Sequence, residues 1–296
     1  MPSEKRSSAN FILCIAILAA PTLLSGQTAT CTNWKLFQMP SPWIRTLPSG
    51  INRWGTILGE TYDPSQNTRG FIRYSDGSIK TYSAANSSFT SLSRRNAQGV
   101  TVGTYWDTSS AHHYHGIVVY SSGTATVNYP GASDTFLNGI NYWGSIVGMY
   151  YDSARNSHGF QLKNGKFTKI DYPGASNTVA RSISDKGVIV GWYQTSTSPF
   201  DHGFVLQNGL FTTLDNPKGT GNGTDLQDIN GSGVIVGNYW PNSVPQGFIY
   251  INGIFKDIVP PNSTYPATTT GINGYGYVTG EGSLSGVNGG YTAHCQ

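Results

Sequence analysis

From Trp34 to the C-terminus the apolar residues come in short runs broken by Gly, Asn and Ser, and no helical period intrudes. Val, Ile, Tyr, Phe and Thr dominate these runs, the residue types that suit a pleated, half-buried surface. The runs recur in a fixed order. Two glycines four residues apart mark each copy: Gly55/Gly59, Gly99/Gly103, Gly144/Gly148, Gly187/Gly191, Gly233/Gly237 and Gly276/Gly280. Successive pairs are 44, 45, 43, 46 and 43 residues apart, so the chain is six tandem copies of one unit.

A second anchor follows in every copy, a Gly and then a large apolar residue, as in Gly70-Phe71, Gly116-Ile117, Gly159-Phe160, Gly203-Phe204, Gly247-Phe248 and Gly290-Tyr291. A third is a two-residue turn: Asp76-Gly77, Ser122-Gly123, Asn164-Gly165, Asn208-Gly209 and Asn252-Gly253. Asn-Gly and Asp-Gly between apolar runs signal a hairpin, because both central residues of the favoured turn need positive φ. The fourth copy then resolves into strand a near Ala180–Ser184, strand b at 188–193, strand c at 203–207 and strand d at 210–215. Four strands in about 44 residues is one propeller blade. A β-solenoid competes, but its coils are usually shorter and need no hairpin turns. The expected fold is therefore all-β, a six-bladed β-propeller of four-stranded blades spanning residues 29–296.

The two ends predict how the ring closes. The sixth copy stops at Cys295-Gln296, right after its strand c, without a turn or strand d. The first copy has a matching surplus, Trp34 to Pro40, ahead of its strand a. Pro40 lies 15 residues before Gly55, much as Pro173 lies 14 before Gly187, so the N-terminal segment aligns with a strand d and completes the last blade. Cys31 and Cys295 both fall where an Asn-Gly turn would join strands c and d. A disulfide there would replace the turn covalently and contribute roughly 3–5 kcal/mol by the chain-entropy argument. Cys14 lies in the leader and needs no role.

The segments Ile140-Asn141-Tyr142-Trp143-Gly144-Ser145-Ile146-Val147-Gly148 and His158-Gly159-Phe160 resemble the bacterial extracellular HAF-repeat proteins. Their units follow I-N-x-x-G-x-V-V-G and then H-A-F. Here Gly stands for Ala, and several copies lose the His. The resemblance spans nearly all of the chain after the leader and implies a propeller-like surface protein, with no particular reaction.

Composition and charge narrow the surroundings. Charged residues make up 11%, well below the usual ~25% of soluble domains, and Gly, Ser, Thr, Asn and Tyr take their place. Lys5 and Arg6 followed by the apolar stretch 11–24 read as a signal peptide over residues 1–28, so the expected location is secreted or periplasmic, where a disulfide persists. No second apolar stretch predicts a membrane span. The only basic pair beyond the leader is Arg94-Arg95, too little to attract nucleic acid. The chain is expected to act as a monomer, without cofactor or metal. His112, His113 and His115 share a loop near Asp107, but their spacing puts them on no regular surface.

No Gly-x-Ser-x-Gly elbow or phosphate-cradling loop is present. Function is therefore sought on the face that bears the longer, variable b–c and d–a loops. Candidate ligand-binding residues there are Asp63, Arg69, Tyr105, Trp106, Asp107, His115, Tyr151, Asp152, His158, Tyr193 and His202. Tyr and Trp beside Asp, Asn and Arg supply what a sugar ring needs, a flat apolar platform and directed hydrogen bonds. The plainer reading is structural. Asp at a strand end commonly caps its own loop, Tyr-Pro-Gly-Ala is turn chemistry, and the recurrent His bonds a neighbouring loop. Three functions stay open: a non-catalytic module binding a glycan or cell-envelope component, a structural or protein-interaction module of the cell surface, and a polysaccharide hydrolase or lyase using carboxylates such as Asp107, Asp152 and Asp201.

Overall fold

The computed structural model describes residues 27–109, 113–219, 223–263 and 266–296. Most of the leader lies outside the described residues, as does His112. The chain opens with β1 (Cys31–Phe37) and continues through blade 1 as β2 (Leu47–Ile51), β3 (Ile57–Tyr62), β4 (Thr68–Arg73) and β5 (Ile79–Tyr82). Blade 2 is β6 (Thr90–Arg95), β7 (Thr101–Trp106), β8 (Tyr114–Tyr120) and β9 (Gly123–Val127). Blade 3 is β10 (Asp134–Ile140), β11 (Ile146–Tyr151), β12 (Ser157–Lys163) and β13 (Lys166–Ile170). Blade 4 is β14 (Asn177–Ile183), β15 (Ile189–Thr195), β16 (Ser198–Gln207) and β17 (Leu210–Thr213). Blade 5 is β18 (Thr224–Ile229), β19 (Ile235–Tyr239), β20 (Gln246–Ile251) and β21 (Ile254–Asp257). Blade 6 is β22 (Gly271–Ile272), β23 (Tyr277–Leu284) and β24 (Val287–Cys295), with β1 as its outer strand.

Each sheet is four-stranded and antiparallel, five of them meanders and the sixth completed by β1, and together they form a six-bladed β-propeller. Ring closure follows the sequence expectation. β1 pairs with β24 with Cys31 opposite Cys295, and the two are joined by a disulfide across a 4.1 Å Cα–Cα gap. Gln27, within the segment read as leader, and Ala29 also bond the backbone of Asp257, clipping blade 5 to blade 6.

The two glycines of the repeat answer different demands. Gly144 sits at φ +79° in the a–b turn, a conformation that L side chains rarely adopt. Gly148 faces the Phe136 carbonyl so closely that any Cβ would collide with it. The innermost strands also bulge: β2, β6, β10, β14 and β18 each shift register by one residue, at Ser49, Ser93, Asn138, Arg181 and Gln227.

The core lies between blades. Phe71, Phe160, Phe204, Phe248 and Tyr291 of the second anchor are fully buried. One such cluster joins Val102 and Val118 of blade 2 to Leu137, Ile146 and Phe160 of blade 3. Two hydrogen-bonded rings stitch the same seams. Near the d–a connections, Thr46, Thr90, Thr135, Thr178 and Thr224 accept from the N–H of Met39, Ala84, Tyr129, Tyr172 and Asn216. At the a–b turns, Asn96, Asn141, Asn230 and Asn273 donate Nδ2 to the carbonyl of the equivalent residue in the next blade, Asn141, Ser184, Asn273 and Asn52.

One expectation fails in part. The b–c connections are not long in every copy. In blade 4, β16 begins at Ser198 and pairs it with Thr195; in blade 6, Leu284 pairs with Val287. The strands run on into a two-residue turn in both, so the loop-bearing face is built mainly by blades 1, 2, 3 and 5.

Candidate functional site

The inner strands put two successive rings of residues around the axis. Five residues before the first repeat glycine stand Gly50, Arg94, Gly139, Ser182, Asp228 and Gly271. This is the waist of the channel. Arg94 of blade 2 reaches across it to Asp228 of blade 5, the opposite blade, with Nε 3.4 Å from Oδ2. On the way its guanidinium donates to the carbonyls of Ser49, Ser93, Gln227 and Thr270. Asp228 in turn accepts from the Ser182 hydroxyl and from the N–H of Ile229 and Ile272. Glycine makes the crossing sterically feasible, since a Cβ on Gly50 would lie 2.7 Å from Arg94 Nη1. The strut divides the channel into two mouths.

The mouth on the b–c side is a cleft of about 360 Å³ with Arg94 at its floor. Six residues before the repeat glycine are the bulge residues Ser49, Ser93, Asn138, Arg181 and Gln227, with Thr270 at the same offset in blade 6, and all of them line it. The bulges account for this, because each turns an extra side chain toward the axis. Higher up stand Phe89, Phe136, Ser91, Glu60 and Glu281. Phe136 lies 4.8 Å from Tyr114 and 6.0 Å from Tyr151, and Phe89 lies 5.2 Å from Trp106, giving an aromatic wall across blades 2 and 3. Charges are largely compensated: Arg45 pairs with Glu281 at 3.1 Å and Arg181 with Asp225 at 3.4 Å.

Carboxyl environments differ sharply around this mouth. Burial raises Glu60 above the ordinary glutamate value, against the Ser91 hydroxyl and Arg45, which favour its ionised form. Burial also raises Asp225 to about 7, and its Oδ1 has no hydrogen-bond partner among the described residues. Asp201 is raised by burial too. Asp107 and Asp152 go the other way, to about 2. The Ser109 and His115 side chains do this for Asp107, and the backbone and side chain of Asn156 for Asp152.

The residues singled out in the sequence form a different set. Asp63 accepts from the N–H of Ser65 and Asn67 and pairs with Arg69 at 3.1 Å. Asp152 caps its loop in the same way through Ala154 and Asn156. His115 bridges Asp107 and Asn128, His158 bridges Asp152 and Asp171, and His202 bridges Ser198 and Asp215. In each case the imidazole ties the b–c connection to the end of strand d. Tyr105 bonds Thr126, and Trp106 donates to the Ser88 hydroxyl at 2.7 Å. Tyr151 is capped by Arg155, whose guanidinium sits 4.7 Å from the ring centroid. Tyr193 is buried, stacked at 3.6 Å under Tyr172 and flanked by His202, which leaves no ring face for a ligand. Among the described residues no three His, Cys, Asp or Glu side chains are grouped as a metal ion would need.

The mouth residues themselves escaped the sequence reading, although their signal is present. Asn138, Arg181 and Gln227 recur at one fixed offset from the repeat glycine. Nothing in the pattern announces the bulge that turns them inward.

No family model matches this sequence, and no curated protein matches it. Solved structures do share its shape. TolB from Acinetobacter baumannii superposes with a TM-score of 0.56 at 13% identity over 81% of this chain, which spans only 63% of the TolB chain. A gluconolactonase from Xanthomonas campestris gives 0.51 at 13% identity, covering 91% of this chain and 97% of its own. An Aleuria aurantia lectin mutant in complex with Fucalpha1-6GlcNAc gives 0.52 at 13% identity, covering 84% and 91%. At this identity the likeness extends to the propeller fold alone.

Proposed function

We propose that this chain is a secreted or periplasmic, non-catalytic binding module whose b–c mouth takes an uncharged stretch of glycan. The observation that carries the reading is the make-up of the cleft. Phe89 and Phe136 offer ring faces beside Asn138, Gln227, Ser91 and Glu60, over a floor closed by Arg94. Aromatic faces stack on sugar C–H groups, and fixed amide, hydroxyl and carboxyl groups direct the sugar hydroxyls. Charge compensated in the Arg45–Glu281 pair at the rim favours a neutral ligand over an ionic one. The like-folded Aleuria aurantia lectin is complexed with a fucosylated disaccharide, so the scaffold tolerates a sugar site without assigning one here. The Cys31–Cys295 disulfide supports an oxidising compartment, and among the described residues no helix is long and apolar enough to cross a membrane.

Calorimetry against a panel of neutral oligosaccharides tests the reading. Binding should be lost in Phe136→Ala and weakened in Asn138→Ala, while His158→Ala leaves it unchanged. A panel without a single binder would remove the proposal. A second reading, hydrolysis or lysis of the bound polysaccharide, rests on Glu60, whose burial keeps its carboxyl protonated to higher pH at the same mouth. It requires product release that disappears in Glu60→Gln.

A further inference from the structure

The opposite face carries a larger cleft, of about 580 Å³, at the seam of blades 6 and 1. It is far from the b–c mouth in the fold, on the side of the a–b turns, and lies within the size range of small-ligand sites. Three cations line it: Lys35 on β1, Arg53 in the a–b turn of blade 1 and Arg73 at the end of β4. No Asp or Glu lines it. Among the described residues none of the three makes an ion pair within 4 Å, in contrast with Arg45, Arg69, Arg94, Arg155 and Arg181, which all do. The carboxylate next in the chain to the cleft, Asp76, is engaged by the Ser78 hydroxyl and N–H.

Aromatic rings stand open among these cations. Trp54 and Tyr275 are each 59% exposed and Tyr277 is 37% exposed, all three lining the cleft. Arg53 lies 5.0 Å over Trp54 and Arg73 lies 5.1 Å from the Phe37 ring, which orients both guanidinium groups without neutralising them. Uncompensated guanidinium forks select planar oxyanions such as carboxylate, and exposed Trp and Tyr faces select the C–H face of a pyranose. We propose that this cleft is a second glycan site, for an acidic polysaccharide whose repeating units are uronates. Because it sits on the other face and uses other residues, it does not depend on the reading of the b–c mouth.

Affinity electrophoresis of the full chain through gels cast with polygalacturonate, alginate or neutral dextran tests this. The expected result is retardation by a polyuronate and not by dextran, weakening as sodium chloride is raised. The double change Arg53→Gln and Arg73→Gln should weaken retention at least about tenfold, as loss of charge-assisted bonds implies. Trp54→Ala should weaken it as well. Trp143→Ala, on the same face but outside the cleft, and Phe136→Ala, at the other mouth, should both bind polyuronate as the parent does, and thermal melts of all variants should coincide with the parent at the exposed positions. Equal retention by dextran, retention untouched in the double variant, or a single-stranded oligonucleotide displacing the polyuronate at equal charge would each overturn the proposal.

Discussion

Aromatic residues sit beside polar ones on both faces of the disc, yet the two faces use them in opposite ways. On the b–c and d–a side, Tyr129 stacks on Tyr150 at 3.7 Å and Tyr172 on Tyr193 at 3.6 Å, each pair formed across a seam between blades. On the a–b side, Trp54 is 59% and Trp143 73% exposed, while the turns that carry them are held from beneath by Asn52 and Asn141. The difference comes from where hydrogen bonding does the stitching. At the a–b turns an asparagine side chain links the blades from beneath, so a tip residue adds only a solvent-exposed bond, such as the one Trp143 donates from its indole N–H to the Asp185 carbonyl, and its ring stays open. At the d–a connections the chain passes from an outer strand to the next inner strand, and the tyrosine at that corner fills the gap.

Breaking the partition between the faces should produce the largest effect. Arg94→Ala leaves Asp228 buried and unpaired at the waist, and it should cost about 3–5 kcal/mol in urea unfolding. Adding Asp228→Asn removes the orphaned charge and should recover part of that loss. A single variant as stable as the parent would mean the strut contributes nothing to holding the ring.

The aromatic contrast can be sharpened with a matched pair. Tyr193→Ala empties a buried, stacked position and should cost about 3–5 kcal/mol, whereas Trp143→Ala should change stability by about 0.5 kcal/mol or less. Similar melting shifts for the two would erase the distinction drawn between the faces.

A further contrast concerns pH. Burial lifts Asp225 from 3.8 to about 7 in the folded chain. Between those values the folded state keeps a proton that the unfolded chain has released, so this group makes stability fall as pH climbs from about 4 to about 7, and level off above. Asp107 and Asp152, held near 2 by their loops, act in the reverse sense and only at more acid pH, where their contribution is lost as pH drops. Melting curves across this range should show a shallower decline in Asp225→Asn. An unaltered slope would place the titrating group elsewhere.

Much of the fold was legible because it is written in spacing. The glycine pairs gave the number of blades, the Asn-Gly turns gave the c–d hairpins, and the unmatched ends gave the closure that Cys31 and Cys295 complete. The site was far less legible. Asp63, Asp107, Asp152 and the recurrent histidines stand out in the sequence because they repeat, and they repeat because each blade needs the same loop fastening. Phe136, Asn138, Arg181 and Glu60 do not stand out, because a ligand-facing ring has no reason to be uniform around the axis.

The sequence by itself determined the six strand quartets, their turns and the pairing of the two termini, since these depend on backbone chemistry that glycine, asparagine and cysteine impose locally. Only the tertiary structure decided which side chains face the channel and which aromatic rings are open to solvent. A one-residue bulge reverses the direction of a side chain without altering composition or periodicity. An ion pair between opposite blades, such as Arg94 with Asp228, joins residues more than a hundred positions apart that share no local signal.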